Sequence, residues 1–269
     1  MMSMTVRRTS AILLRQYYLF RGSVARLVPL FVWVGVDMVL WGFITRYLNT
    51  FTASAYNFVP TMLGAVLLWD FFIRIMQGIT MAFFEDVWSR NFLNLFATPI
   101  EVSEYLGGLV LSSIATSCIG LLVMLALAGL FGFSFLVYGV MLAPFVLVLF
   151  LVGIALGIFA VALVLRLGPA AEWFIWPIPA VLSPFAGVFY PLATLPSWMR
   201  AISYLLPHSY VFESMRAILR GQPVSVPSLL IGAGMAVLYV LLACWFFKKT
   251  YQRAVRTGLI ARYSAETVN

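Results

Sequence analysis

Charge is the scarcest property of this 269-residue chain: Asp, Glu, Lys and Arg together make up 10% of it. Histidine occurs once, at His208, lysine only at Lys248 and Lys249, and cysteine only at Cys118 and Cys244. Each shortage closes a route. A soluble domain carries about 25% charged residues. A chain with 63% apolar residues and mean hydropathy +1.02 cannot cover a core of this size with polar surface. The composition argues against disorder, a soluble enzyme fold and a nucleic-acid partner together. A phosphate-binding loop places Lys directly after Gly, and neither lysine follows a glycine. ATP hydrolysis by that route is excluded on this chain. A lone histidine rules out His-Glu-x-x-His zinc sites and paired haem ligands. No catalytic residue, metal or cofactor is expected here. His208 reads as a helix cap or an interfacial residue, and the two cysteines, both inside apolar runs, as packing residues.

What the chain has is apolar length. A spanning helix needs about 20 apolar residues. The expected fold is an all-α membrane protein, one membrane domain over residues 1–269 with six spans: 27–47, 58–84, 104–130, 134–165, 170–190 and 228–247. No charged residue occurs from Tyr105 to Leu165. That run is too long for one crossing, so a tight turn near Gly129-Leu130-Phe131-Gly132 divides it. Pro177, Pro179 and Pro184 stud the fifth span and let it bend.

Four segments do not span. In residues 1–26, Ile12, Leu13, Tyr17, Leu19 and Phe20 stand beside Arg8, Arg15 and Arg21, the pattern of an amphipathic helix lying on the inner membrane surface. Residues 85–99 open on Glu85-Asp86, favourable at a helix N-terminus, present Trp88, Phe92 and Phe96, and stop at Pro99. Residues 191–223 hold two short helices, Ser197–Leu206 and Ser209–Arg220, broken at Pro207, and read as a re-entrant hairpin in the outer leaflet. The basic tail, 248–269, continues the last span and then frays.

Six spans put both termini on one side. Arg7, Arg8, Arg15, Arg21 and Arg26 precede the first span; Lys248, Lys249, Arg253, Arg256 and Arg262 follow the last. Arg90 and Arg166 join them, against Arg46, Arg200, Arg216 and Arg220 on the other side. The positive-inside rule makes the termini cytoplasmic, and the net charge of +8 suits contact with anionic lipid.

Charge inside a span is costly and marks function by default. Asp37 and Arg74 both fall roughly 15 Å from the inner face at the helical rise. Asp70 precedes Arg74 by four residues, on the same helix face. An Asp37–Arg74–Asp70 network joining the first two spans follows, serving either as a structural clamp or as a proton or substrate site. Gly153 and Gly157 form a Gly-x-x-x-Gly step that allows close helix approach.

The outer segment carries Pro184, Gly187, Tyr190-Pro191, Leu195-Pro196 and Trp198, then Pro207, Glu213 and Arg216. The inner loop carries Leu95-Phe-Ala-Thr98-Pro99-Ile100, then Glu104 and Gly107. Taken in order, these motifs resemble the type-2 ABC exporter permease family. The likeness extends over nearly the whole chain and departs at Asn91-Phe92, where many relatives have Gly-Thr. It implies a permease subunit, not an enzyme in itself, in the bacterial inner membrane. The expected partners are two copies of a separate ATPase subunit that binds ATP and Mg, and a second permease, most simply a homodimer. It implies coupling to the ATPase through Glu85, Asp86, Trp88, Arg90, Phe92 and Phe96. It also implies a gate at the outer segment and export of an amphipathic substrate: lipid-like, glycolipid, oligosaccharide or drug-like. The rival reading is an ATP-independent membrane protein: a proton-coupled carrier using Asp37 and Asp70, or a membrane enzyme acting at the outer face near His208.

Overall fold

The computed structural model of the chain describes residues 4–51, 59–89, 94–95 and 97–258. Among these residues it is helical and contains no strand. The helices are α1 (Met4–Arg21), α2 (Val24–Phe51), α3 (Gly64–Trp88), α4 (Val102–Leu130) and α5 (Leu142–Leu167). There follow α6 (Glu172–Ile175), α7 (Ile178–Ala186), α8 (Ser197–Ser203), α9 (Pro207–Leu219) and α10 (Val226–Arg256). Four helical stretches among the described residues are long and apolar enough to cross a membrane: Thr61–Trp88, Val102–Leu130, Phe135–Leu167 and Val226–Arg256. A fifth helix, α2, is a continuous 28 residues, long enough to cross at about 1.5 Å per residue.

The apolar run from Tyr105 divides where the glycines stand. Helix α4 ends at Leu130, the chain turns through Phe131 and Gly132, and a short 3₁₀ stretch, Phe135–Met141, leads into α5. The bundle is built on α5, which packs along both α3 and α10. Gly153 and Gly157 face α3. A Cβ added to Gly153 would lie 2.8 Å from Ile75, and one added to Gly157 2.9 Å from Ile79. The Gly-x-x-x-Gly step lets the two backbones approach.

Two apolar clusters divide the bundle into halves. One holds Ile12, Phe84, Tyr105, Leu165 and Phe247. The other holds Leu63, Phe133, Phe145, Phe212 and Leu229. Helix α1 and the C-terminal turns of α3, α5 and α10 therefore share one end; α9 and the α4–α5 turn share the other. Segment 170–190 was expected as one span with bends. Prolines instead cut it into α6 and α7, with a break at Trp176-Pro177. It still travels between the halves: Ala171 and Ile175 pack in the first cluster and Ala186 in the second.

A second expectation is corrected at Glu85-Asp86. No new helix opens there. α3 runs on without interruption to Trp88 and is capped at Ser89, so the acidic pair lies in a last turn rather than a first. The macrodipole disfavours carboxylates at that end. Tertiary pairing of Asp86 with Arg15 of α1 offsets this. Pro207 also differs from expectation: it is the first residue of α9, where its missing N–H costs nothing, and not the breaker between two helices.

Candidate functional site

Three groups of polar residues occupy three levels of the bundle. The first is at the end that carries α1. Arg8, Ile12 and Arg15 fall at i, i+4 and i+7, so they share one face of α1. That face lies on α4. Ile12 is 2% exposed and sits where a Cβ on Gly108 would come within 2.5 Å. Arg8 reaches Glu104 at 3.5 Å, and the Glu104 carboxylate also accepts the Glu101 N–H at 2.9 Å. Arg15 forms an ion pair with Asp86 of α3, and the Tyr105 hydroxyl of α4 donates to the other Asp86 oxygen at 2.7 Å. Asp86 is fully buried. One carboxylate thus ties α1, α3 and α4 together. Burial opposes the charge of Arg15, but the hydrogen bond and charge of Asp86 outweigh it and hold the guanidinium pKa above its usual value.

Of the expected coupling residues, Glu85 is half-buried and Asp86 lies inside the protein. Trp88 is 46% exposed, stacked on Phe84 at 5.4 Å. Arg90, Phe92 and Phe96 lie outside the described residues. Arg15, Arg8 and Tyr105 were not anticipated as part of this group. The i, i+7 spacing of the two arginines around Ile12 was the available signal.

The second group is within the bundle. Asp37 of α2 and Asp70 and Arg74 of α3 lie close enough to feel one another's charge. The Arg74 side chain runs past Gly120 of α4, where a Cβ would come 3.3 Å from its Cδ.

The third group is the outer segment, where the motif residues converge. Gly187 ends α7 with φ of 63°, a left-handed conformation that costs glycine least. A Cβ there would also strike Leu192 at 2.7 Å. Tyr190 folds back to donate to the Pro184 carbonyl at 2.7 Å. Glu213 of α9 accepts the Leu192 N–H at 2.7 Å and the Arg216 guanidinium at 3.0 Å. Arg216, nearly buried, also donates to the Val188 carbonyl. Pro191 and Pro196 bracket the 3₁₀ turn Leu192–Thr194. Trp198 packs edge-on against Phe185. Arg200, not singled out in the sequence, donates to the carbonyls of Leu192, Ala193 and Leu195 and holds that turn closed.

His208 neither faces an interface nor lies open to solvent. It is 1% exposed, with Phe72 at 4.4 Å and Trp69 at 5.5 Å between ring centroids. Burial pushes its pKa down to about 3, so the ring is neutral.

A polar tie on an amphipathic helix at one end, a charged group inside and a hydrogen-bonded turn at the other describe a membrane protein with two worked ends. The sequence pattern of the ABC-2 type transporter family matches residues 11–219, from within α1 to the end of α9. The chain belongs to the ABC-2 type transporter family. A comparison with curated proteins gives no match. Membership makes the chain a multi-pass membrane protein and the permease component of an ABC transporter, a family that works with an ABC ATPase. The match includes both the Asp86 tie and the outer turn, and leaves out α10.

Proposed function

We propose that this permease is the transmembrane subunit of an ATP-driven exporter. It would move an amphipathic substrate, lipid-like, glycolipid, oligosaccharide or drug-like, out of the cytoplasm or inner leaflet of a bacterial cell. Two ATPase subunits, which bind the ATP and Mg, serve a pair of permeases, taken as a homodimer. Both termini face the cytoplasm. The observation that carries the reading is the tie at Asp86. It fixes α1 to α3 and α4 in the last turn of α3, and Trp88 stands exposed two residues further on. A push on the segment after Trp88 reaches α3 directly. From α3 it passes to α5 through the close contact at Gly153 and Gly157. Closure of the ATPases then shifts the permease between inward and outward states, and substrate moves because it contacts those states differently. The outer turn held by Glu213, Arg216 and Arg200 is the gate at the far end.

The test is purification of the tagged chain in mild detergent, with mass spectrometry of what co-elutes. A near-stoichiometric ATPase subunit, lost on Trp88→Asp with Phe92→Asp, is expected. Recovery without any ATPase, under conditions that keep known complexes intact, would remove the proposal.

The electrostatic coupling of Asp37, Asp70 and Arg74 supports a second reading, a proton-coupled carrier. Such a carrier stops when the proton gradient is collapsed at constant ATP, and Asp37→Asn abolishes its transport. The exporter continues under both conditions.

A further inference from the structure

Arg166, in the last turn of α5, and Lys249 and Arg253 of α10 line one groove of about 600 Å³. Trp245 and Phe246 form its apolar wall. Trp245, Lys249 and Arg253 fall at i, i+4 and i+8, stacked on one face of α10. The groove therefore passes from apolar to cationic over about 12 Å at the helical rise. Lys249 Nζ lies 5.2 Å from the centre of the Trp245 ring. Among the described residues no acidic side chain lines the groove, and no ion pair engages any of the three cations. The groove belongs to the end that carries α1, since Leu165 and Phe247 pack in the same cluster as Ile12.

We propose that this groove binds an anionic phospholipid, its phosphate between Arg166 and Arg253 and its acyl chains along Trp245 and Phe246. Basic pockets between transmembrane helices take anionic headgroups, and tryptophan favours the depth where headgroup meets chain. The apolar wall favours a lipid over a soluble protein partner. It continues along α10 through exposed Leu238, Leu241 and Leu242, a face suited to hydrocarbon rather than to water. Three cations without an acid match a phosphodiester, and the graded wall matches its chains. The inference goes beyond the exporter reading and requires no ATPase.

The purified full chain in detergent is titrated with dioleoyl phosphatidylglycerol, with dioleoyl phosphatidylcholine and with sn-glycerol 3-phosphate, and bound species are counted by native mass spectrometry. A preference for the glycerol lipid over the choline lipid is expected. Arg166→Gln with Arg253→Gln should weaken the glycerol lipid about tenfold or more. Lys248→Gln with Arg256→Gln, an equal loss of charge outside the groove, should change it by less than about threefold. Equal retention of the two lipids by the unmodified chain overturns the proposal without any variant. Equal weakening by both double variants overturns it in favour of a diffuse basic surface. If glycerol 3-phosphate displaces the lipid at similar concentration, the groove takes a free phosphoester and the lipid assignment fails. It fails too if the groove variant keeps its lipid but loses a co-purifying ATPase, since the surface is then a protein contact. Failure of the exporter reading itself would appear only as absence of that ATPase and leaves the lipid titration untouched.

Discussion

At Asp86 two helices send one donor each to a single buried carboxylate, and removing either partner has a different cost. Arg15→Leu leaves the carboxylate buried with only Tyr105, a loss on the order of 3–5 kcal/mol. Asp86→Asn leaves Arg15, whose side chain is 26% exposed and can turn to water. That variant should lose only about 1–2 kcal/mol. Replacing both by Leu should recover part of the loss, and a double-mutant cycle on melting temperature in detergent gives the coupling directly. An additive cycle would mean that the pair does not hold α1. His208 gives a pH test of the other half. Its pKa is pushed down to about 3 in the folded chain against about 6.5 when free. Between those values the unfolded chain binds the extra proton, so stability is full above about 6.5 and falls as pH drops toward 3. Moving from pH 7.5 to 5 should cost about 2 kcal/mol through this group. His208→Phe should be less acid-sensitive by that amount, read as the difference in melting temperature between the two pH values. Equal acid sensitivity would place the acid response elsewhere.

Helices, more than side chains, were legible in the sequence. The apolar runs located α3, α4, α5 and α10 because a bilayer-length run has few alternatives, and Gly129 to Gly132 marked the turn between two of them. The proline break at Trp176-Pro177 was legible as a bend but not as a division into α6 and α7, whose residues pack in different clusters, Ile175 of α6 in one and Ala186 of α7 in the other. Glu85-Asp86 was misread as a helix start. Local charge preference points that way, and the tertiary partner that reverses it, Arg15, is 71 positions distant. Arg200 was overlooked because an arginine beside a turn has no periodic signature. The Gly-x-x-x-Gly step was read as packing, and its partner can now be tested. Gly153→Ala and Gly157→Ala each drive a methyl into Ile75 or Ile79 and should destabilise by about 1–3 kcal/mol. Gly234→Ala on α10 meets nothing within 4 Å and should be neutral or gain up to about 1 kcal/mol of helix propensity. Thermal unfolding of the three variants side by side separates helix contact from propensity. Equal behaviour would mean that α3 and α5 are not held together there.

For the molecule as a whole, the two ends determine what the permease can do. The tie at Asp86 and the exposed Trp88 can meet a cytoplasmic ATPase only if that end faces the cytoplasm. The proposed orientation rests on the charge count: the residues that sort to the α1 end carry most of the basic side chains. Side-specific thiol labelling checks this directly. In a background with Cys118→Ser and Cys244→Ser, cysteines are introduced at three exposed positions: Ser134 in the α4–α5 turn, Gln222 after α9, and Thr257 after α10. An impermeant maleimide on intact cells should label Ser134→Cys and Gln222→Cys. Thr257→Cys should react only after the membrane is opened. Ser134 and Gln222 must also agree with each other, because α9 packs against the 3₁₀ stretch that follows Ser134. Labelling of Thr257→Cys alone would invert the molecule. Trp88 would then stand outside the cell, where no ATP-hydrolysing partner could push on it, and the coupling route from α3 to α5 would have no source of force.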